Sequence, residues 1–142
     1  MRREYSCGAV VYTKLGEEYR YVIIRSRGGD YGFAKGHMEG NETEEETALR
    51  EVKEETGLSV RLTEGFRMVD EYRLPGKSNV VKKVVYFLAS YENQKITPQL
   101  SELSSAQLMS YNTAMSKLTF PKSREILLEA ATFLDDGERL KK

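Results

Sequence analysis

Two stretches with a high share of apolar residues lie near the start of the chain on either side of a short polar segment, and this pattern predicts a β-hairpin. Residues 5–13 and 19–25 are rich in β-branched and aromatic side chains, which favour strands, and a polar segment containing a glycine separates them. Residues 80–91 predict a further strand, and residues 59–72 alternate loosely, as one long strand or a bent pair would. These segments together supply most of a sheet.

The apolar period changes to that of a helix between residues 43 and 57. Thr43 and Glu46 have the spacing of a capping box, and Gly57 stands where a left-handed cap ends a helix. The positions that we expect to face a core are Leu49, Val52 and Thr56. The positions that share the neighbouring face are Glu51, Glu54 and Glu55, and we expect Glu55 to be exposed.

The last third of the chain predicts a polar loop over residues 99–107, a short strand over 108–111 and a helical turn capped by Asn112. A longer helix is expected from Pro121 to Leu134, before a polar tail. Its buried stripe consists of Ile126, Leu127, Ala130 and Leu134. Strands combined with two substantial helices predict an α/β fold, namely an α/β/α sandwich of helices on a curved mixed β-sheet.

Composition favours a single compact domain over residues 1–142. A hydrophobic fraction of 39% argues against disorder, and no apolar run is long enough for a transmembrane helix. The first residues lack the apolar core of a signal peptide. Cys7 is the sole cysteine, which fits a reducing compartment, and we therefore expect a cytoplasmic protein.

Negative charge is concentrated in residues 36–58. This segment holds eight glutamates against one arginine and one lysine, a formal charge of −6 in a chain whose net charge is zero. On charge alone, a solvated acidic helix face explains it. Like charges at helical spacing repel one another, however, and a hard divalent cation such as Mg²⁺ or Mn²⁺ would remove that repulsion. The segment therefore also predicts a cation site flanked by basic groups, suited to a polyanionic ligand.

The spacing within this segment favours the cation site. The constrained positions are Gly36, Glu42, Arg50-Glu51-Val52, Glu54-Glu55 and Gly57-Leu58. They match the Nudix box, G-x5-E-x7-R-E-U-x-E-E-x-G-U with U a bulky aliphatic residue, at every position. The chain therefore resembles the Nudix hydrolases, and the resemblance implies the Nudix fold, with the box as a loop-helix-loop.

The resemblance also implies a metal-dependent reaction on phosphoanhydrides. The implied metal ligands are the carbonyl of Gly36 and the carboxylates of Glu51, Glu54 and Glu55, with Mg²⁺ as the cofactor and Mn²⁺ as the alternative. The implied catalytic residues are Arg50, which orients a carboxylate, and Glu51, Glu55 and Glu102, among which the general base stays open. Glu42 is expected to hold the loop by hydrogen bonds.

Outside the box, the chain resembles the asymmetric diadenosine tetraphosphate hydrolases. Lys35 and His37 belong to a K-G-H opening like that of this subgroup, and both are expected to contact the substrate. Lys82 and Tyr86 lie in a K-x-V-x-Y stretch similar to the one where the subgroup places a phosphate-binding lysine and an adenine-stacking tyrosine. A core-facing position is the alternative for Tyr86.

The chain departs from this subgroup after Glu102. Leu103 stands in place of a histidine, and Gln107-Leu108 in place of an arginine-tryptophan pair. Hydrolysis of diadenosine tetraphosphate to ATP and AMP is the first functional hypothesis. Removal of pyrophosphate from the 5′ end of RNA, or cleavage of another nucleoside diphosphate derivative, is the second. A Nudix module that senses a nucleotide without cleaving it is the third.

Overall fold

The computed structural model describes residues 2–140, with residues 77 and 78 described by their backbone alone. Its elements are β1 (Arg2–Leu15), β2 (Glu18–Ser26), β3 (Tyr31–Gly32), β4 (Lys35–His37), α1 (Glu44–Thr56), β5 (Arg61–Leu74), β6 (Lys77–Ser90), β7 (Leu103–Ser110), α2 (Tyr111–Lys117) and α3 (Pro121–Leu140). Within residues 2–140, the seven strands form one mixed sheet.

Strand β1 lies at the centre of this sheet. It pairs antiparallel with β2 and β4 and parallel with β6. Strand β5 extends the sheet antiparallel to β6, while β3 and β7 both pair antiparallel with β2. The predicted hairpin and the mixed direction of the strands are confirmed.

The alternation of side chains along β1 and β6 divides the core into two layers. Val10 and Val84 belong to the layer that also contains Ile126 of α3. Their neighbours Val11 and Val85 belong to the layer under α1. The predicted α/β/α sandwich is confirmed, and so is the buried stripe of α3, all of whose four predicted residues are buried.

Strand β5 is one long strand, which was one of the two sequence interpretations, and it contains an irregularity. Its register with β6 shifts between Leu62 and Arg67, and Gly65 within the shift has a φ of +98°. A bulge of this kind bends a strand and curves the sheet. A Cβ at position 65 would lie 3.4 Å from the Phe133 ring of α3, so the glycine also allows the strand to lie close to that helix.

Three predictions about the last third of the chain were wrong. Strand β7 begins at Leu103 rather than 108, because the polar residues before 108 also pair with β2. Helix α2 is capped by Ser110 instead of Asn112, since the Ser110 hydroxyl accepts the Thr113 N–H at 3.2 Å. Helix α3 runs on to Leu140, and Lys14 and Tyr19 bind Glu138 in its last turns at 3.1 and 2.5 Å.

None of the helices in the described part of the chain is long and apolar enough to cross a membrane.

Candidate active site

Helix α1 is fixed at both ends by local hydrogen bonds. The Thr43 hydroxyl accepts the Glu46 N–H at 3.1 Å, and the Glu46 carboxylate accepts the Thr43 N–H at 2.9 Å. At the other end, Gly57 has a φ of +76° and its N–H donates to the Lys53 carbonyl at 2.9 Å. The predicted capping box and left-handed cap are confirmed, and they set which side of the helix faces the sheet.

The buried face of α1 differs from the predicted one. Leu49 is 36% exposed, so its predicted place in the core was wrong. The buried positions instead form two lines at i, i+4 spacing, one of which runs from Thr47 through Glu51 to Glu55. Glu51 and Glu55 are therefore only 9% and 5% exposed, and the expectation that Glu55 is exposed was also wrong. Glu54 lies on the solvent side.

Gly36 on β4 provides the space that the Glu51 carboxylate fills. A Cβ at position 36 would overlap both oxygen atoms of that carboxylate. Strand β4 is held there by its pairing with β1, which sets Gly36 opposite Cys7. A glycine has no Cβ, so other groups can approach its backbone closely. In the structure, the group that lies close to Gly36 is the carboxylate of Glu51, one of the predicted metal ligands.

The pKa values of the Glu51 and Glu55 carboxylates are raised, although basic groups lie nearby. Glu55 accepts the backbone N–H of Lys35 at 2.9 Å. Burial first, and the charge of Glu51 second, raise the pKa of Glu55 to about 8. Burial and the charge of Glu54 likewise raise the pKa of Glu51. The charge of Glu102 adds to both shifts, so this exposed side chain lies within electrostatic range of the pair.

Arg50 links the loop before α1 to the exposed carboxylate of Glu54. Its guanidinium donates to both oxygen atoms of Glu42, at 2.6 and 3.0 Å, and to the His37 carbonyl at 2.9 Å. It also donates to Glu54 at 3.2 Å and to Glu51 at 3.4 Å. The hydrogen bond with Arg50 is the main reason why the pKa of Glu42 falls to about 2. Glu42 thus makes the hydrogen bonds predicted for the loop, and Arg50 contacts three carboxylates, while its catalytic role stays a prediction.

A cavity of about 750 Å³ opens beside the Glu55 carboxylate. Its volume is within the range typical of small-molecule sites. Glu55 and Lys35 line it together with residues from β2, β5, β6 and the start of α3. Burial lowers the pKa of Lys35, and the nearby charge of Lys82 lowers it further. The buried Glu55 carboxylate and the Lys35 ammonium group, whose pKa is lowered, thus line the same cavity.

The strand register places Lys82 and Tyr86 on one face of β6, as predicted. Tyr86 lies in the core, which was the alternative interpretation, and is 5% exposed. Its ring packs edge-on against Phe33, with centroids 5.6 Å apart. Only a small part of the ring borders the cavity, so the predicted stacking on Tyr86 lacks an open ring face.

Two exposed aromatic residues of the cavity were missed by the sequence analysis. Tyr72 and Phe120 are 38% and 53% exposed, and both line the cavity. The alternation of Met68, Asp70 and Tyr72 along β5 is a signal that could have found Tyr72. Phe120 has no such signal, because it lies in the turn before α3 and reaches the cavity through tertiary packing alone.

His37 and Glu102 are exposed, and neither borders the cavity. His37 ends β4 and Glu102 lies directly before β7. Their predicted roles, and those of the Gly36 carbonyl and Glu54 as ligands, stay predictions.

The donor set fits a hard divalent cation. Two buried carboxylates repel each other beside a glycine that leaves no side chain between them and the β4 backbone. In the described part of the chain, no three acidic, histidine or cysteine side chains converge as a ready metal cluster. Mg²⁺ commonly uses one or two carboxylates together with water and substrate phosphates, which agrees with a site of two.

Comparison with known proteins finds a matching family model and several proteins that are similar to this chain. Residues 3–130 match the family model of the NUDIX domain. The chain is 26% identical over 141 residues to the asymmetrical bis(5′-nucleosyl)-tetraphosphatase of Mus musculus, and the match covers 91% of this chain and 94% of that protein. A C. elegans Ap4A hydrolase in a binary complex superposes with a TM-score of 0.85 at 22% identity, covering 94% of this chain and 98% of that one.

A third relative matches a shorter region at higher identity. The NAD-capped RNA hydrolase NudC of Haemophilus influenzae is 37% identical over 91 residues. The match covers 64% of this chain but 32% of that protein, so the chain spans about a third of that relative's length.

Proposed function

The chain belongs to the Nudix family, and we propose that it hydrolyses a phosphoanhydride bond of nucleoside polyphosphates with a divalent cation. Diadenosine tetraphosphate, cleaved to ATP and AMP, is the substrate that we propose. One observation carries this proposal: buried Glu55, which is electrostatically coupled to buried Glu51, lies with Lys35 at the wall of a cavity large enough for a nucleotide.

Glu51 and Glu55 would hold the cation, and Mg²⁺ is the one that we propose. The Gly36 carbonyl and Glu54 would add ligands, and Glu54 would then have to leave Arg50, which it now binds at 3.2 Å. The bound cation supplies charge neutralisation for the phosphate chain and makes a water molecule more acidic. Burial raises the pKa of both carboxylates, and the charge of Glu51 raises that of Glu55 further, so a bound cation would stabilise their ionised forms.

The remaining side chains bind and orient. Lys35 and Lys82 would neutralise phosphate oxygens, and a phosphate would oppose the burial and the Lys82 charge that lower the pKa of Lys35. Arg50 would keep the loop and the carboxylates in register. Glu102 and the two buried glutamates are the candidate general bases, because each could accept a proton from water beside the phosphate chain.

The choice of a dinucleoside polyphosphate is supported by similarity along nearly the whole chain. The tetraphosphatase of Mus musculus matches 91% of this chain. Two exposed aromatic side chains at the cavity, Tyr72 and Phe120, would stack on a base. A cytoplasmic location, expected from the single cysteine, belongs to the same proposal.

A second candidate rests on the match to a NAD-capped RNA hydrolase over 91 residues. Under this alternative, the same carboxylates act on the 5′ end of RNA or on another nucleoside diphosphate derivative. A nucleotide sensor without catalysis is the third possibility, and retention of the complete carboxylate set speaks against it.

Product analysis distinguishes these candidates. Purified protein is incubated with Mg²⁺ and diadenosine tetraphosphate, 5′-triphosphorylated RNA or a nucleotide sugar, and the products are separated by anion exchange. Equal amounts of ATP and AMP support the proposed function. Two molecules of ADP, or turnover of RNA alone, would reject the substrate but keep the chemistry. Nucleotide binding without turnover of any substrate would favour the sensor.

A further inference from the structure

An acidic side chain without an assigned role lies in the floor of the cavity. Asp70 on β5 is half-buried and lines the cavity. The register pairs it with Val84, between the rows that contain Tyr72 and Tyr86. Asp70 therefore lies beside the exposed aromatic ring, on the same face of the sheet.

The Asp70 carboxylate has no hydrogen-bond or ion-pair partner among the side chains and backbone groups that the structure describes. The positive charges that act on it from a distance are those of Lys122 and Lys35. Lys122 is itself paired with Glu125 at 3.4 Å. This carboxylate faces the cavity without a partner among the described residues, so it is free to accept hydrogen bonds from a ligand bound there.

The chemistry of that ligand follows from the surrounding charges. A phosphate group would be repelled by the carboxylate, and a cation would be repelled by Lys35 and Lys122. A neutral group with hydrogen-bond donors is compatible with both. The nucleoside part of a nucleotide carries such donors, as an amino group on the base and as hydroxyls on the ribose.

We infer that Asp70 is a specificity-determining residue, which accepts hydrogen bonds from the nucleoside part of the substrate and holds it on the cavity floor beside Tyr72. This inference rests on the proposed function for the class of ligand, a nucleotide, and is independent of turnover. The phosphate chain then points away from Asp70, towards Lys35 and the carboxylate pair.

The test measures binding of adenosine 5′-monophosphate by calorimetry without added divalent cation. Asp70→Leu should bind about 10- to 100-fold more weakly than the wild type, and Asp70→Asn about 10-fold more weakly, because a charge-assisted hydrogen bond is lost. Glu71→Gln is the matched control. It removes a carboxylate one residue along the strand, where the side chain is exposed and paired with Arg3 at 3.1 Å, and it should leave the affinity unchanged.

Two analogues identify the donor that Asp70 binds. Purine riboside 5′-monophosphate lacks the amino group and gains no N–H in its place, and 2′,3′-dideoxyadenosine 5′-monophosphate lacks the ribose hydroxyls. The analogue without the relevant donor should bind wild type and Asp70→Leu equally, while the other should still distinguish them. Circular dichroism confirms that each variant is folded.

The inference is overturned if the Asp70 variants bind adenosine 5′-monophosphate as tightly as the wild type, or more tightly, or if the wild type does not bind it. Tighter binding would mean that Asp70 only repels the phosphate. Asp70-dependent binding without hydrolysis of any substrate would overturn the proposed function and leave this inference standing.

Discussion

The Glu51 carboxylate occupies the space beside Gly36 that the Cβ of any other residue would fill. Glu51 belongs to α1 and Gly36 to β4, so the contact depends on how the helix packs against this strand. A glycine is needed at position 36 because of this contact, since the backbone there has no left-handed φ.

Gly36→Ala should lower kcat about 100-fold, because the added methyl group displaces the Glu51 carboxylate and a small misplacement of a catalytic group is costly. The fold should survive, since only the end of a side chain has to move. Steady-state kinetics and circular dichroism measure both effects. Gly137→Ala, where a Cβ meets nothing within 4 Å, is the control and should keep wild-type rates. Wild-type kcat in Gly36→Ala would contradict the assignment.

Without divalent cations, the protein should lose stability as the pH rises from 5 to 8. The unfolded carboxyl group of Glu55 has a pKa near 4.5, whereas the folded one keeps its proton up to about pH 8. Proton binding therefore stabilises the folded state fully below about pH 4.5, and this stabilisation, roughly 1–3 kcal/mol, is lost progressively as the pH rises to about 8. Urea denaturation at both pH values measures the loss, and Mg²⁺ at pH 8 should reverse it.

Two variants isolate the contribution of Glu55 to this pH dependence. Glu55→Gln should flatten the slope, because its amide oxygen still accepts the Lys35 N–H and carries no charge. Glu129→Gln changes an exposed glutamate of α3 and should retain the wild-type slope. Equal slopes in the two variants would show that Glu55 does not carry the effect.

Arg50→Lys should reduce activity about 10- to 100-fold, because an ammonium group cannot replace a guanidinium that binds Glu42 through two nitrogen atoms and also reaches Glu54 and the His37 carbonyl. Initial rates at saturating Mg²⁺ measure the effect. Lys53→Arg, an exposed change on the same helix, should be neutral. Full activity of Arg50→Lys would show that Arg50 is not needed to position the carboxylates for catalysis.

Tyr72→Leu should raise KM for a dinucleoside polyphosphate about 10-fold with little change in stability, since Tyr72 is exposed at the cavity and a stacked base contributes roughly 1–3 kcal/mol. Tyr86→Ala should instead cost about 3–5 kcal/mol of stability, because its ring is buried against Phe33. Kinetics and thermal unfolding of both variants separate the two roles. An unchanged KM in Tyr72→Leu would exclude stacking there.

Features set by neighbouring residues could be predicted from the sequence. The capping box of Thr43 and Glu46 and the left-handed Gly57 depend on contacts within one turn. The buried stripe of α3 follows from helical spacing alone. The constrained positions of residues 36–58 likewise identify the family without any tertiary information.

Features set by packing against other elements could not be predicted. Glu55 is buried because α1 lies against β4, and a charged residue on a helix gives no sign of such burial. Tyr72 and Tyr86 are both tyrosines in strands, and only the packing of Phe33 and α3 decides which of them faces open space. The end of α3 depends on Lys14 and Tyr19, more than a hundred residues away in the chain.

The most direct test of the buried carboxylate pair as a hydrolytic centre is the initial rate of diadenosine tetraphosphate hydrolysis with and without Mg²⁺. The wild type and Glu64→Gln, an exposed change on β5, should show equal rates that require Mg²⁺. Glu51→Gln and Glu55→Gln should each be slower by about 100-fold or more. Wild-type rates in Glu55→Gln, or hydrolysis that proceeds equally well without a divalent cation, would contradict the account.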